Sequence, residues 1–115
     1  MTDLAKQTCI PCTGKLPPAT AAEIAIFKTQ VPQWDIVEEN NELRLQRTYQ
    51  FPDFKTALDF TQSVGTIAEQ EGHHPALLTE WGKVTVTWWT HAIKGLHKND
   101  FVMAAKTDLL QQSEP

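Results

Sequence analysis

No stretch of this 115-residue chain approaches the roughly 20 apolar residues that a membrane-spanning helix needs. A soluble protein with no membrane partner is expected. The start, Met1-Thr2-Asp3-Leu4, lacks the basic region and apolar core of a secretory signal, which points to the cytoplasm. Charge of one sign is not concentrated anywhere. Ten Lys and Arg stand against fourteen Asp and Glu, a formal net charge of -4, with no long run of either sign. That leaves no electrostatic footprint for DNA or RNA, so nucleic acid is not an expected direct partner. Cysteine is scarce. Cys9 and Cys12 form a lone C-x-x-C, and no second pair exists to complete a structural zinc site. A thioredoxin-like motif belongs at a helix N-terminus after a strand, whereas this one runs into Gly14-Lys15-Leu16-Pro17-Pro18. The plainer reading is two reduced thiols in an irregular arm. The alternative is a metal shared with His97 or with a second subunit. Internal repeats and low-complexity tracts are also missing.

What is present fits one domain. Residues 1–19 read as a flexible, proline-containing leader and residues 20–115 as a single folded unit. With 41% hydrophobic and 21% charged residues, the chain has the balance of a globular protein. At this length it buries about two-thirds of its unfolded surface.

The local patterns alternate between two periods. Thr20-Ala21-Ala22-Glu23 has the form of a capping box. It opens a helix carrying Ile24, Phe27 and Val31, which Pro32 ends. Trp34 to Val37 reads as a strand. Asn40-Asn41 follows, and asparagine tolerates the left-handed backbone of a tight hairpin. Leu43, Leu45, Tyr49 and Phe51 then alternate with polar residues, the period of a half-buried strand, with Arg47 interrupting the apolar face. Asp53 caps a predicted helix over 54–71, with a stripe of Phe54, Ala57, Leu58, Thr61, Val64, Ile67 and Ala68. Gly72 suits its left-handed stop. Ala76 to Leu78 reads as a short strand and Trp81-Gly82-Lys83 as a turn. Val84, Val86 and Trp88 then point one way, and Thr85, Thr87, Trp89 and His91 the other. Asn99-Asp100 starts a last helix with Phe101, Val102, Ala105 and Leu109 inward. The expected fold is α+β: a four-stranded antiparallel sheet with three helices on one face, in the order α-β-β-α-β-β-α.

The chain has four histidines, and three of them are His73, His74 and His91. His73-His74-Pro75 begins where the helix over 54–71 stops. His91 closes a strand, and Asp100 opens a helix. Taken singly, each has an ordinary explanation. Histidines at a helix C-terminus suit its dipole, and an aspartate at a helix start caps it. Glu69 alone is a solvated charge. Gathered in one site, imidazoles with pKa values near 6.5 make a proton-transfer apparatus for neutral pH.

The run Glu69-x-x-x-His73-His74-Pro75, then Trp81, His91 and Asp100, resembles the signature of the pterin-4a-carbinolamine dehydratases. Val84-Thr85-Val86-Thr87-Trp88-Trp89-Thr90-His91, Gly95-Leu96-His97-Lys98-Asn99-Asp100-Phe101 and Ala104-Ala105-Lys106 are similar to bacterial members of that family. The likeness spans about residues 20–110. It implies a lyase that dehydrates 4a-hydroxytetrahydrobiopterin and so recycles the pterin of aromatic amino-acid hydroxylases. It implies His73 and His91 as the acid/base pair and Asp100 as the carboxylate that orients an imidazole. His74, Glu69, Pro75 and Trp81 would bind the pterin. It implies no metal, no redox cofactor, and a homodimer or homotetramer. The same resemblance carries a second possibility, a non-catalytic protein that serves transcription-factor dimerisation or carboxylase assembly. One departure is Leu77, where some relatives place a tryptophan wall for the pterin.

Overall fold

The computed structural model describes residues 4–6, 18–90, 93 and 95–113. Cys9, Cys12 and His91 lie outside the described residues. Three α-helices and four strands follow the expected order: α1 (Ala21–Lys28), β1 (Asp35–Glu39), β2 (Glu42–Gln50), α2 (Phe54–Glu71), β3 (Ala76–Glu80), β4 (Lys83–Trp88) and α3 (Lys98–Ser113). The sheet runs β1-β2-β4-β3, and every pair is antiparallel. None of the described helices is long and apolar enough to cross a membrane.

The local signals act as chemistry requires. Thr20 and Glu23 close a reciprocal capping box on α1, with both bonds made. Asp53 Oδ1 accepts from the Thr56 amide at 2.8 Å and starts α2. Asn40 and Asn41 hold φ of 54° and 63°, so a two-residue turn joins β1 to β2. Gly82 holds φ 77° between β3 and β4, and a Cβ there would meet the Phe51 carbonyl oxygen at 3.3 Å. The Phe51 amide donates to the Gly82 carbonyl at 2.8 Å, so this turn is pressed onto the end of β2.

Strand alternation divides the sheet into a covered face and an open one. Leu45, Arg47 and Tyr49 of β2, Val84, Val86 and Trp88 of β4, and Leu77 and Thr79 of β3 share the covered face through their register. Thr79 pairs with Thr61 of α2 at 2.6 Å. Trp88 Nε1 donates to Thr107 of α3 at 3.2 Å. Helix α1 meets α3 through Phe27 and Phe101, whose ring centroids are 5.4 Å apart. The open face is polar, with Gln46–Thr87 and Thr48–Thr85 hydrogen bonds across β2 and β4.

Four expectations change. The buried stripe of α2 is Ala57, Phe60, Val64 and Ala68, while Phe54 and Leu58 lie on the outer side. Phe60 takes their place because it meets Tyr49 at 4.7 Å and Phe51 at 5.1 Å. Helix α3 is buried along Phe101, Val102, Met103, Ala104 and Ala105 rather than on one stripe, and Leu109 is exposed. The reason is a docked piece of the leader: Leu4–Lys6 forms a 3-10 turn, and Leu4 is buried. Lys106 Nζ donates to the Ala5 carbonyl, and Gln30 Oε1 accepts from the Leu4 amide. Part of the expected flexible arm therefore covers the far side of α3. Trp34, placed in the first strand by its sequence context, precedes β1 and is wholly buried.

Arg47, which interrupts an apolar face, has its reason in α3. Asp108 Oδ1 accepts from Arg47 at 2.7 Å, from Trp34 Nε1 at 3.0 Å and from the Tyr49 hydroxyl. The Arg47 guanidinium also lies 4.3 Å from the Tyr49 ring centroid. Burial, followed by the Asp108 carboxylate, pushes the Tyr49 hydroxyl well above its usual pKa. Replacing Asp108 by Ala leaves these donors without their acceptor, with Trp34 and Tyr49 out of reach of water. We expect a loss of about 2–4 kcal/mol in urea unfolding. A loss under about 0.5 kcal/mol would show that this carboxylate does not hold α3 to the sheet.

Candidate active site

The end of α2 decides which histidine faces inward. Gly72 takes φ 65°, its amide donates to the Glu69 carbonyl, and the His73 amide reaches back to Ala68 at 3.1 Å. This paired closure is a Schellman motif, and it reverses the chain within one residue. His73 turns into the protein and is only 5% exposed. His74 stays at the surface, held extended by the following Pro75. The His73 ring lies parallel to Trp88, 8° from coplanar, with centroids 5.7 Å apart. Trp88, predicted as core, thus serves as the floor under the imidazole.

The start of α3 supplies the carboxylate. His97 is the residue before the helix, and its Nδ1 accepts from the Asn99 amide at 3.2 Å. Asp100 Oδ2 reaches back to accept from the His97 amide at 2.9 Å. These two bonds resemble a capping box, with His and Asp in the places usually held by Ser or Thr and Glu and with the second helical amide bound in place of the third. Asp100 is entirely buried. Its Oδ2 also accepts from the Thr90 hydroxyl at 2.8 Å, and its Oδ1 lies 2.6 Å from His73 Nε2. With donors from Thr90 and His97 already aimed at it, the carboxylate acts as an acceptor here. His73 therefore donates from Nε2, which puts the lone pair of its neutral ring on Nδ1.

The third segment is the exit of β4. Thr90 pairs with Gly95 by a short bridge, with the Thr90 amide 2.8 Å from the Gly95 carbonyl. His91 is the residue after Thr90, in the stretch that this bridge closes, and lies outside the described residues. The root of its segment is fixed to Asp100 through Thr90.

The remaining predicted residues divide by position. Glu69 Oε1 and His74 Nε2 are 3.2 Å apart at the surface, a solvated pair. Glu69 also edges an open trough of about 550 Å³ with Gln62, Gly65, Thr66 and Gln70 on the outside of α2. That trough does not reach the buried His73. Pro75 is half-buried beside this cluster. Trp81 is elsewhere. It sits 73% exposed in the β3–β4 turn, at the far end of the hairpin from His73. Five residues of strand separate the two ends, roughly 17 Å. Antiparallel pairing forces this, because a turn residue cannot approach the open end of its own hairpin.

Thr90 and His97 belong to the cluster although the sequence reading did not place them there. For His97 a signal existed, since His97-x-x-Asp100 has capping-box spacing. His97 is half-buried beside a small cavity of about 110 Å³ lined also by Pro18, Ala19, Glu23, Phe27 and Lys98. Burial holds its pKa below the usual histidine value. Asp100 and Glu23 oppose this, and nearby His73 and Lys98 add to it. Among the described residues, no group of three His, Cys, Asp or Glu side chains is spaced to hold a metal ion.

The chain as a whole is similar to known proteins. The profile of the family described as Pterin 4 alpha carbinolamine dehydratase matches residues 17–110. A protein of Syntrophotalea carbinolica, named provisionally as a pterin-4-alpha-carbinolamine dehydratase, is 57% identical over 110 residues, covering 96% of this chain and 98% of its own. One from Nitrosococcus oceani with the same provisional name is 56% identical, covering 96% and 97%. A crystal structure from Brucella melitensis, described as a transcriptional coactivator/pterin dehydratase, superposes with a TM-score of 0.73 at 26% identity. It covers 82% of this chain and 98% of its own.

The Asp100 carboxylate is expected to hold the three segments together. Asp100→Ala strands the His73 Nε2–H, the Thr90 hydroxyl and the His97 amide, and should cost about 3–5 kcal/mol in urea unfolding. Thr90→Val removes one of these partners and should cost about 1–2 kcal/mol. If Asp100→Ala unfolded within about 1 kcal/mol of the parent, the carboxylate would not be the centre of this cluster.

Proposed function

The chain belongs to the pterin 4 alpha carbinolamine dehydratase family, and we propose that it catalyses, in the cytoplasm, the loss of water from 4a-hydroxytetrahydrobiopterin. The substrate carries a hydroxyl on C4a and a hydrogen on the neighbouring ring nitrogen. A base takes the nitrogen-bound proton, and the nitrogen lone pair forms the C=N bond. The C–O bond breaks as an acid protonates the departing oxygen. The products are quinonoid dihydropterin and water, so protons and electrons balance without an oxidant or reductant. The reaction needs two proton-transfer groups close together near neutral pH.

His73 and His91 fill these roles in this reading. Asp100 fixes the His73 ring by accepting from Nε2, leaving Nδ1 as the basic nitrogen. His91 follows Thr90, whose hydroxyl is bonded to the same carboxylate. His74 and Glu69 stand at the surface beside this cluster and suit contacts to the polar edge of a pterin, with Pro75 setting the direction of the chain. Trp81, at the other end of the hairpin, stands apart from this cluster within one chain, and its expected contact with the pterin would have to come from a second subunit. The observation that carries the reading is the buried His73–Asp100 pair. A buried His–carboxylate pair is a poor source of stability, because desolvation offsets its attraction, and it is a common way to orient a proton-transfer group and fix its tautomer. The coactivator named in the Brucella melitensis structure keeps a second reading in view, a binding protein on the same fold. The retained His73, His74 and Asp100 favour the enzyme.

The working form in this reading is a homodimer or homotetramer. β1 and β3 are edge strands, and such edges invite pairing. Light scattering that gave the mass of one chain at micromolar concentration would contradict it.

Steady-state rates on enzymatically generated carbinolamine test the catalytic assignment. His73→Ala and His91→Ala should each lower kcat by about 100- to 10,000-fold. His74→Ala should act mainly on KM, as loss of uniform binding does. The double variant should lose less than the product of the singles if the two histidines act as a unit. Circular dichroism serves as the folding control. If both single variants kept the parental kcat, the binding-protein reading would replace this one.

A further inference from the structure

His97 takes no part in the proton transfers described above, yet it is built into their support. Its Nδ1 accepts the Asn99 amide, and its own amide is held by Asp100 Oδ2. The Asp100 amide closes the same turn on the His97 carbonyl at 3.0 Å. One residue thus receives the first amides of α3 and helps aim the carboxylate that holds His73. Serine, threonine, asparagine and aspartate do such capping with an oxygen that stays an acceptor at every physiological pH. Histidine does not. A protonated imidazole is a donor at both nitrogens. Its Nδ1–H would then face the Asn99 N–H with no acceptor between them. It would also set a positive charge at the positive end of a 16-residue helix.

We propose that His97 is a positioning residue: in its neutral form it caps α3 and holds Asp100 on His73, and on taking up a proton it releases both.

The charges that face His97 come from three elements. Glu23 of α1 and Asp100 of α3 favour its protonated form. His73, at the end of α2, and Lys98 of α3 oppose it, and burial opposes it most. The net effect disfavours the proton in the folded state. The unfolded chain, where histidine titrates near 6.5, then binds more protons than the folded one. The contribution of His97 to stability is complete above about pH 6.5 and is lost as pH falls through that value toward its lower folded one.

His97→Ser separates the two properties of the residue, because serine caps a helix but does not titrate. The test compares the two proteins from pH 8 to pH 5.5 by nitrogen-15 NMR of the imidazoles and by urea unfolding. In the parent, the His73 nitrogen resonances should move with the titration of His97, and the unfolding midpoint should fall over the same range. In His97→Ser, the His73 signals should lose that step and the midpoint should fall less. His97→Ala, which neither caps nor titrates, should be less stable than serine at every pH without the additional acid loss. An equal acid loss in parent and His97→Ser would overturn the proposal. So would an unaltered His73 titration in His97→Ser, which would leave His97 a cap and nothing more.

For the rate, the proposal rests on the dehydratase reading. The dehydratase rate at pH 6, relative to each protein's own rate at pH 8, should fall by up to about tenfold more in the parent than in His97→Ser. A parent with no dehydratase activity at any pH would defeat that reading, and the NMR and unfolding measurements would still decide the role of His97.

Discussion

A carboxylate removed wholly from water is the constraint on which this structure turns. Asp100 has no exposed surface, so each of its oxygens must find donors inside the protein. Those donors come from three separate segments: His73 after α2, Thr90 after β4, and the amide of His97 before α3. Satisfying one side chain therefore fixes how two helix ends and a strand end meet. The imidazole that results has a set tautomer, a parallel aromatic floor in Trp88, and little freedom to rotate. Such preorganisation is what a proton-transfer group requires, and here it follows from the need to satisfy buried polar atoms.

Helix α3 carries this arrangement on a first half that is buried without interruption from Asn99 to Ala105. A second carboxylate on it, Asp108, receives Arg47, Tyr49 and Trp34, and Thr107 receives Trp88. The helix is thus pinned to the sheet by polar contacts near both ends, with apolar packing between. Leu4 and α1 close its other sides. Sideways movement of α3 would break the Asp108 contacts and the Asp100 contacts together, so the stability of the core and the geometry of the site are coupled through one rigid body.

The polarity of the sheet completes the division of labour. Its covered face holds the aromatic and aliphatic residues that the helices need, and its open face is mainly threonine, glutamine and charge, with Leu78 exposed among them. Arg44 lies 4.0 Å over the Trp89 ring, following the covered-face Trp88 by one residue. Adjacent tryptophans consequently do different work. Trp88 supports the imidazole, and Trp89 is roofed by a guanidinium, because strand neighbours project to opposite faces.

Much of this was determined by the sequence alone, and the parts that were share a physical trait: they depend on residues near one another in the chain. The capping box at Thr20, the cap at Asp53, the left-handed Gly72, the Asn40-Asn41 turn and the period-two strands all express local backbone preferences, and they set the order of helices and strands. The placement of His73, His74 and Asp100 at element ends was legible for the same reason. What the tertiary structure alone decided involves distance along the chain. Phe60, not Phe54 or Leu58, faces the core because α2 is rotated by its contacts with Tyr49 and Phe51. Arg47 is at home on an apolar face only because Asp108, sixty-one positions away, meets it there. Leu4 leaves the leader to cover α3. Trp81, close to the histidines in the pattern of residues, is carried away from them by the length of the hairpin. The burial of His73 against His74's exposure, and the recruitment of His73 and Thr90 to Asp100, follow from which donors a dehydrated carboxylate can reach, and that is a property of packed space rather than of sequence order.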